Sequence, residues 1–277
     1  MSKARKHGRA TYMVDVPKKD DFEREIRETM YEPSPEEILD PDMSAKMVDV
    51  YRHVYGNDPL WKEGAMKKTV WGVQKISLQK YLKLKAKGKA DDYQEIFPRE
   101  TVLAEWERIL TSSYSQPVVI INKDKDDLKG FFIGEVGELE TAARQQILYS
   151  IGFGDEEETQ KIVSLLRKAL KNEGILPSEK ILWCEDILID PQFRHKTGQF
   201  YDFICMMAYL GHKKGARFGV TWTKRTSLVS FLALLFGWKP ILFYKDYIFY
   251  QHPNLYELYE VLKKSDYETI RGVISRL

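Results

Sequence analysis

The segment KILWCEDILID, residues 180–190, constrains the fold more than any other part of the chain. Its run of apolar residues predicts a buried strand, and the apolar stripe over residues 200–208 predicts that a helix follows. A second strand is predicted in ARFGVTWT, residues 216–223. A strand, a helix and a second strand in this order predict a mixed α/β fold with a central sheet.

The neighbouring segments extend this pattern. VVIINKDKDDLKGFFIGEV, residues 118–136, predicts a β-hairpin because two apolar runs flank a charged turn. Residues 140–178 are expected to be mostly helical and to form an insertion. After ARFGVTWT, a short apolar helix and two strands are predicted in SLVSFLALLF, KPILFY and DYIFYQH.

The N-terminal part is different in character. Residues 1–41 are polar and charged and are expected to form a loosely ordered leader, so that the folded domain covers residues 42–277. PRETVLAEWERIL, residues 98–110, predicts a helix with Thr101 as its N-cap and Trp106 facing the core.

Charge and cysteine content narrow the classes of function. The net charge of +2 argues against a dedicated nucleic-acid binder, although the basic stretch KYLKLKAKGK, residues 80–89, keeps a nucleic-acid partner open. The two cysteines, Cys184 and Cys205, have no partners at metal-ligand spacing. Neither a metal site nor a disulfide framework is therefore expected. Both cysteines are expected to be reduced thiols.

The location is predicted from two further segments. The N-terminus MSKARKHGRATYMV is basic but lacks the apolar core of a signal peptide. LVSFLALLFGW is about half a membrane span. A soluble cytoplasmic protein with no membrane association is expected.

The loop PQFRHKTGQ, residues 191–199, joins the predicted strand to its helix. A helix N-terminus presents unpaired N–H groups and the positive end of the helix dipole, so a loop there readily binds an anion. Gly198 lets the backbone approach a ligand closely. These features indicate a phosphate or pyrophosphate site, with an ordinary strand-to-helix turn bearing surface basic residues as the alternative.

Several of these segments together resemble the GNAT superfamily of acyl-CoA-dependent N-acyltransferases. The residues that match its central motif in register are Ile187, Ile189, Pro191, Phe193 and Arg194. The hairpin 118–136 resembles the second and third strands of that family, MVDVYRHVYGNDPLW its opening helix, and FGW its Gly-Phe turn. The resemblance covers approximately residues 43–252.

The resemblance implies a mainly antiparallel central sheet flanked by helices, and acetyl-CoA or another acyl-CoA as acyl donor. The acceptor would be an amine that attacks the thioester directly. The residues implied in cofactor binding are Ile187, Leu188, Ile189, Arg194, His195, Lys196, Thr197, Gly198, Gln199 and Ser227. Ser227 could instead serve as a helix N-cap.

Such a reaction needs a base for the ammonium group. Glu185 and Asp186 are the acids within the key strand, and burying both would be costly unless one has a function. Because adjacent strand residues point to opposite faces, only one is expected to face a given side of the sheet. Glu185 is the favoured base, and the alternative is that one acid is exposed and the other paired.

The chain departs from the family at two places. Thr197 and Gln199 stand where the family has loop glycines, unless an insertion brings Gly198 into the second position. Ala233 stands where the family often has a tyrosine that protonates the leaving thiolate. Two alternatives therefore stay open: a binding or regulatory module without catalysis, and a related enzyme acting on nucleic acid. The tyrosines that could replace the missing acid are Tyr209, Tyr244, Tyr247 and Tyr250.

Overall fold

The computed structural model describes residues 30–57, 64–70, 72–124, 127–148, 155–190, 199–225 and 227–264. The strands are β1 (Met30–Tyr31), β2 (Ala65–Thr69), β3 (Gly72–Ile76), β4 (Gln94–Glu95), β5 (Gln116–Asp124), β6 (Asp127–Gly137), β7 (Ile181–Ile189), β8 (Phe218–Lys224), β9 (Lys239–Tyr244) and β10 (Tyr247–His252). The helices are α1 (Pro35–Leu39), α2 (Pro41–Asn57), α3 (Leu78–Lys85), α4 (Arg99–Thr111), α5 (Leu139–Gln146), α6 (Glu156–Asn172), α7 (Gln199–Lys213), α8 (Leu228–Leu235) and α9 (Leu255–Lys264).

Seven strands form the central sheet in the order β1-β5-β6-β7-β8-β10-β9. Neighbouring strands run antiparallel, except that β7 and β8 are parallel. A parallel pair needs a long crossover, which α7 supplies. The predicted mixed, mainly antiparallel sheet flanked by helices is therefore confirmed, as are the hairpin and the strand–helix–strand unit.

Helices cover both faces of this sheet. On one face α7, α8 and α9 bury a core that includes Phe203, Met207 and Leu255. On the other face α5 and α6 pack over β7, β8 and β10, while α2 and α4 pack over β5 and β6. The region predicted to be helical between residues 140 and 178 contains α5 and α6, with residues 149–154 outside the described ranges.

The folded body extends into the predicted leader. Met30 is buried, and β1 pairs with β5 through Met30–Asn122 and Tyr31–Ile121. Ile38 of α1 is buried in the core under α2 and α4. Residues 1–29 lie outside the described ranges, so the leader stays a prediction for them.

Two local expectations near α4 were wrong or incomplete. Thr101 is not the N-cap, because α4 begins at Arg99 after Pro98, whose φ of −60° already suits a helix start. A small sheet of order β3-β2-β4 with its own core lies between α2 and α4 and was not predicted. Its strands AMKKT and GVQKI are short and polar, which gives a weak strand pattern.

Candidate functional site

The parallel strands β7 and β8 separate partway along their length. They pair through Ile181–Phe218, Leu182–Gly219 and Trp183–Val220, and β7 then continues to Ile189 and β8 to Lys224 without further pairing between them. At the point of separation the Thr221 hydroxyl donates to the Cys184 carbonyl over 3.3 Å. The two strands therefore form a fork, defined by residues 184–189 and 221–224.

Glu185 occupies a β-bulge at the base of this fork. On β6, Ile133 pairs with Asp186 and the next residue, Gly134, pairs with Cys184, which leaves Glu185 as the extra residue of β7. A Cβ atom at position 134 would lie 2.5 Å from the Trp183 carbonyl oxygen. Glycine at this position thus allows the close approach that the bulge requires.

The bulge shifts the alternation of side chains along β7. Cys184 packs against the α7 core before the bulge, and Ile187 and Ile189 pack against the same core after it. Leu188 packs on the opposite face, in the core under α2 and α4. The expectation that Glu185 and Asp186 point to opposite faces was therefore wrong, since the extra residue places both acids on the α2 and α4 side.

Glu185 lines a cavity of about 560 Å³ on this side of the sheet. The cavity is walled by the end of α2, the segment before α4, one face of α4, and the end of α5. Its lining residues are Tyr51, Ile96, Phe97, Glu100, Thr101, Val102, Ala104, Glu105, Trp106, Arg108, Gln146 and Glu185. Thr101, Glu105 and Arg108 recur at helical spacing, so a single face of α4 supplies the polar wall.

A charged network connects this wall to strand β6. Arg108 of α4 donates to Glu105 from both Nε and Nη2, and its Nη2 also donates to Glu135 of β6 over 3.2 Å. Glu135 has no exposure to solvent and accepts a further hydrogen bond from the Ser115 hydroxyl. Burial comes first among the influences on Arg108 and lowers its pKa, but the two carboxylates outweigh it and the pKa is raised.

Glu185 differs from these paired carboxylates. Its Oε2 is shielded from solvent and accepts no hydrogen bond from the described part of the chain. Burial raises the pKa of Glu185 well above its usual value, and the charges of Glu105, Asp186 and Glu135 add to the rise, while Arg108 opposes it. A carboxyl group with a raised pKa beside a cavity is suited to accept a proton and to return it.

Asp186 is held by an aromatic residue of α2. Its side chain is buried, and the Tyr55 hydroxyl donates to Oδ1. The Tyr55 ring packs on Tyr51 with ring centroids 4.8 Å apart, and Tyr51 itself lines the cavity. Asp186 therefore joins α2 to β7 behind the cavity wall and is not among the residues that line it.

Gln146 is oriented by two tryptophans. The indole N–H groups of Trp183 and Trp222 both donate to its Oε1, the latter over 3.2 Å. Indole N–H groups can only donate, so Oε1 is fixed as the acceptor and the NH₂ group of Gln146 remains as a donor at the cavity.

The structure describes part of the set of residues predicted to bind a cofactor. Ile187, Leu188 and Ile189 belong to the β7 arm of the fork, and their role in cofactor binding stays a prediction. Arg194, His195, Lys196, Thr197 and Gly198 lie outside the described residues, and Gln199 is the first residue of α7.

Ser227 is the N-cap of α8. Its Oγ accepts a hydrogen bond from the Ser230 N–H, and it lies 2.6 Å from the Thr223 hydroxyl of β8. The capping alternative given for this residue is confirmed.

The position of the missing tyrosine is also described. Ala233 is buried in α8, and Gly237, with φ of +77°, ends that helix in the left-handed conformation. On the same side of the sheet, the buried hydroxyl of Tyr250 lies 2.5 Å from that of Ser230. Tyr250 thus places a hydroxyl group beside α8, and its role as a replacement acid stays a prediction.

Sequence reasoning missed most of the network around Glu185. Glu105 and Arg108 look like an exposed i,i+3 ion pair on a helix, and Gln146 carries no motif. Glu135 gave one usable signal, because a single acid in the apolar strand GFFIGEVG is costly to bury without a partner.

Neither a protein-family model nor a curated protein matches the chain. Solved structures of similar fold include acetyltransferases. PaiA N-acetyltransferase from Thermoplasma acidophilum in complex with coenzyme A is 11% identical, with a TM-score of 0.40 over 81% of this chain and 97% of that one. Aminoglycoside 6'-acetyltransferase type Ii is 9% identical, with a TM-score of 0.41 over 82% and 96%. The protein PH1933 from Pyrococcus horikoshii is 13% identical, with a TM-score of 0.44 over 81% and 97%.

The described residues contain no cluster of three or more histidine, cysteine or acidic side chains that could hold a metal ion. None of their helices combines the length and apolar character needed to cross a membrane.

Proposed function

We propose that this protein is an acyl-CoA-dependent N-acyltransferase, with acetyl transfer to an amine as the simplest case. The observation that carries the proposal is the fork between β7 and β8 with Glu185 in a bulge at its base. The fork can hold an extended chain that carries amide groups, and Glu185 supplies a proton acceptor beside the cavity. The motif match at Ile187, Ile189, Pro191, Phe193 and Arg194 supports the same function.

The fork fits an acyl-CoA chemically. Strands that stop pairing present backbone amide groups toward each other, and amide groups of a pantetheine chain can pair with such groups. The residues that would hold that chain are Ile187, Leu188 and Ile189. The loop at residues 191–198 and the N-terminus of α7 would hold the phosphates, because basic side chains and unpaired N–H groups favour anions.

Glu185 is the proposed general base. An amine acceptor reaches the cavity as an ammonium ion, and Glu185 takes a proton from it so that the nitrogen lone pair can attack the thioester carbon. The N–C bond forms, the C–S bond breaks, and the sulfur leaves as a thiolate that takes up a proton. The NH₂ group of Gln146 is the proposed donor to the oxygen that gains negative charge in this step.

The source of the thiolate proton is assigned to Tyr250. Its hydroxyl lies 2.5 Å from the Ser230 hydroxyl on α8, the helix that carries Ala233 in place of the usual tyrosine. A pair of hydroxyl groups can pass a proton along its hydrogen bond, so Ser230 would relay the proton of Tyr250.

A direct test measures ligand binding first and transfer second. Acetyl-CoA is expected to raise the melting temperature, because a ligand that binds the folded state stabilises it by mass action. Release of free thiol over a panel of amines should then depend on Glu185 and be lost in Glu185→Gln, while Glu107→Gln, on the exposed side of α4, serves as the matched control. No thermal shift with acetyl-CoA, CoA or longer acyl-CoAs at concentrations well above micromolar would overturn the proposal.

A second candidate is a binding module of the same fold that has lost catalysis. It is favoured by Ala233, which cannot donate a proton. This candidate predicts that CoA raises the melting temperature while no amine releases thiol, and that Glu185→Gln leaves CoA binding unchanged.

A third candidate has a nucleic acid as the acceptor. It is favoured by Lys80, Lys83 and Lys85, which are exposed on α3 at the small sheet. Binding driven by phosphate contacts must weaken steeply with added salt, so salt-insensitive binding would count against this candidate.

The proposed compartment is the cytoplasm. Cys184 and Cys205 are both buried thiols. Unoxidised cysteines are usual where the cell keeps thiols reduced, which supports this location.

A further inference from the structure

We infer that the acceptor taken by the cavity beside Glu185 is a small apolar primary monoamine, rather than a polyamine, an anionic compound or a polymer. The inference rests on the proposed function for its chemical outcome, but it concerns binding and can be tested without an acyl donor. It follows from the charges, the aromatic rings and the size of the cavity.

The charges in the cavity wall leave one carboxylate in need of a cation. Glu105 is engaged by Arg108, which also pairs with Glu135 behind the wall. Glu100 is exposed to solvent, so water screens its charge. Glu185 is the lining carboxylate whose shielded oxygen has no donor in the described part of the chain. One shielded carboxylate oxygen without a donor matches one ammonium group.

The same wall disfavours an anionic acceptor. Arg108 is the only basic residue among the described residues that line the cavity, and two carboxylates already bind it. A carboxylate or phosphate on the acceptor would lie near Glu105 and Glu185 with no cation left for it, and like charges at close range repel.

Apart from Thr101 and Gln146, the remaining lining is apolar and aromatic. Tyr51 contacts Phe97 and Trp106 edge to face, with ring centroids 5.4 and 5.9 Å apart. Ile96, Val102 and Ala104 complete this part of the wall. Aromatic rings gain free energy by covering an apolar body and also attract an ammonium ion to their faces. An apolar amine satisfies both the rings and Glu185, whereas a short diamine such as putrescine has too little apolar surface to cover the rings.

The size of the cavity agrees with a small molecule. Its volume of about 560 Å³ lies within the range of roughly 300–1,000 Å³ that is usual for small-ligand pockets. A compound of the size of 2-phenylethylamine fits such a space with room for the end of an acyl donor.

The test uses the full-length chain without any acyl-CoA. Binding of 2-phenylethylamine, 2-phenylethanol, 3-phenylpropionate and putrescine is measured by calorimetry at pH 8. The amine is expected to bind at least about tenfold more tightly than the neutral alcohol, the anion and the diamine, a ratio that corresponds to one well-placed charge interaction. Equal or tighter binding of putrescine or 3-phenylpropionate would overturn the inference.

Three variants connect the binding to Glu185. Glu185→Gln is expected to weaken the binding of 2-phenylethylamine at least tenfold. Glu185→Asp keeps the charge and is expected to weaken this binding less. Glu107→Gln should bind as the unaltered chain does. Circular dichroism establishes that each variant is folded, and amine binding that is the same in Glu185→Gln as in the unaltered chain contradicts the inference.

The outcome separates this inference from the proposed function. Amine binding that requires Glu185, without any acyl transfer, supports the monoamine pocket and removes the enzyme proposal. Acyl transfer to other amines by a chain that binds no apolar monoamine supports the enzyme and overturns the pocket's assignment.

Discussion

Gly134 of β6 lies so close to Trp183 of β7 that a Cβ atom on Gly134 would stand 2.5 Å from the Trp183 carbonyl oxygen. Side chains do not tolerate such a contact with backbone, so a larger residue must push the two strands apart. The contact lies next to the bulge that presents Glu185 to the cavity. The position of the proposed base therefore depends on the absence of a side chain on a neighbouring strand.

Gly134→Ala is expected to destabilise the protein and to lower acyl transfer more than its stability loss explains. Overpacking of this kind costs about 1–3 kcal/mol, measured by urea unfolding. Gly211→Ala in α7 is the comparison, because its Cβ would lie 2.7 Å from the Leu182 side chain, away from the bulge and from the residues proposed to hold the acyl donor. Equal loss of transfer in the two folded variants would show that the bulge itself does not position Glu185.

Glu185→Gln is expected to stabilise the protein at neutral pH while abolishing transfer. The folded chain raises the pKa of Glu185, chiefly by burial, so it holds this proton more tightly than the unfolded chain. Stability is then lost as the pH rises above the usual glutamate pKa of about 4.3, at about 1.4 kcal/mol for each unit of upward shift. The variant should therefore gain stability over the unaltered protein at pH 8 and show no gain near pH 4. A lower melting temperature of Glu185→Gln at pH 8 would contradict this expectation.

The rate of transfer should follow the same proton. Glu185 acts as a base only when ionised, and its raised pKa moves that ionisation toward neutral pH. The charged groups that influence its pKa are Glu105, Asp186, Glu135 and Arg108. Arg108→Met removes the one cation among them, so the rising limb of the pH–rate profile should move to higher pH. An unmoved limb would show that Arg108 is not part of the electrostatic environment of the base.

Arg108→Met is also expected to cost stability, by about 3 kcal/mol in urea unfolding. Glu135 is fully buried, and removing Arg108 leaves its charge without a cation. The double variant with Glu135→Gln should recover a large part of the loss, because the unpaired charge is then absent. If the double variant is as unstable as the single one, the loss comes from packing of the Arg108 side chain.

His252 is expected to make the fold sensitive to mild acid. Burial lowers its pKa to about 4, and the Asn254 N–H donates to its Nδ1 over 3.2 Å, so the folded state holds the neutral ring. The unfolded state binds this proton first, so stability falls as the pH drops from about 6.5 to about 4, by up to about 3 kcal/mol. His252→Asn keeps an acceptor for that N–H but cannot titrate. Its unfolding free energy should change less over this interval, and an unchanged slope would assign the acid sensitivity to other groups.

Much of the fold could be predicted because it follows from local pattern. The hairpin β5–β6, the strand β7, the helix α7 and the cap at Ser227 each follow from residues that are neighbours in sequence. The small sheet was missed because lysine-rich segments such as AMKKT resemble loops when their pairing partners are unknown. The start of α4 was misplaced because the helix begins directly after Pro98. Threonine is a common N-cap residue, but Thr101 lies inside the helix.

The candidate site was only partly predictable, because part of it depends on contacts between segments that are distant in sequence. Glu185 and Asp186 stood out as two acids in an apolar strand, which is a local anomaly. The sides to which they point were misjudged, because strand alternation holds only where pairing is regular. Arg108 and Gln146 carried no signal, since their meaning depends on contacts with β6, β7 and β8.

The sequence by itself determined the order of strands and helices from β5 to β10, the acids of β7 and the segment that precedes α7. These features rest on periodicity and residue type, which act over a few residues. Tertiary structure alone decided that Gly134 permits a bulge and that the bulge places Glu185 and Asp186 on the same side. It also decided that Arg108 pairs with Glu105 and Glu135, while the shielded Oε2 of Glu185 has no donor among the described residues. Burial and charge pairing depend on which segments meet in space, and that is fixed only when the whole chain has packed.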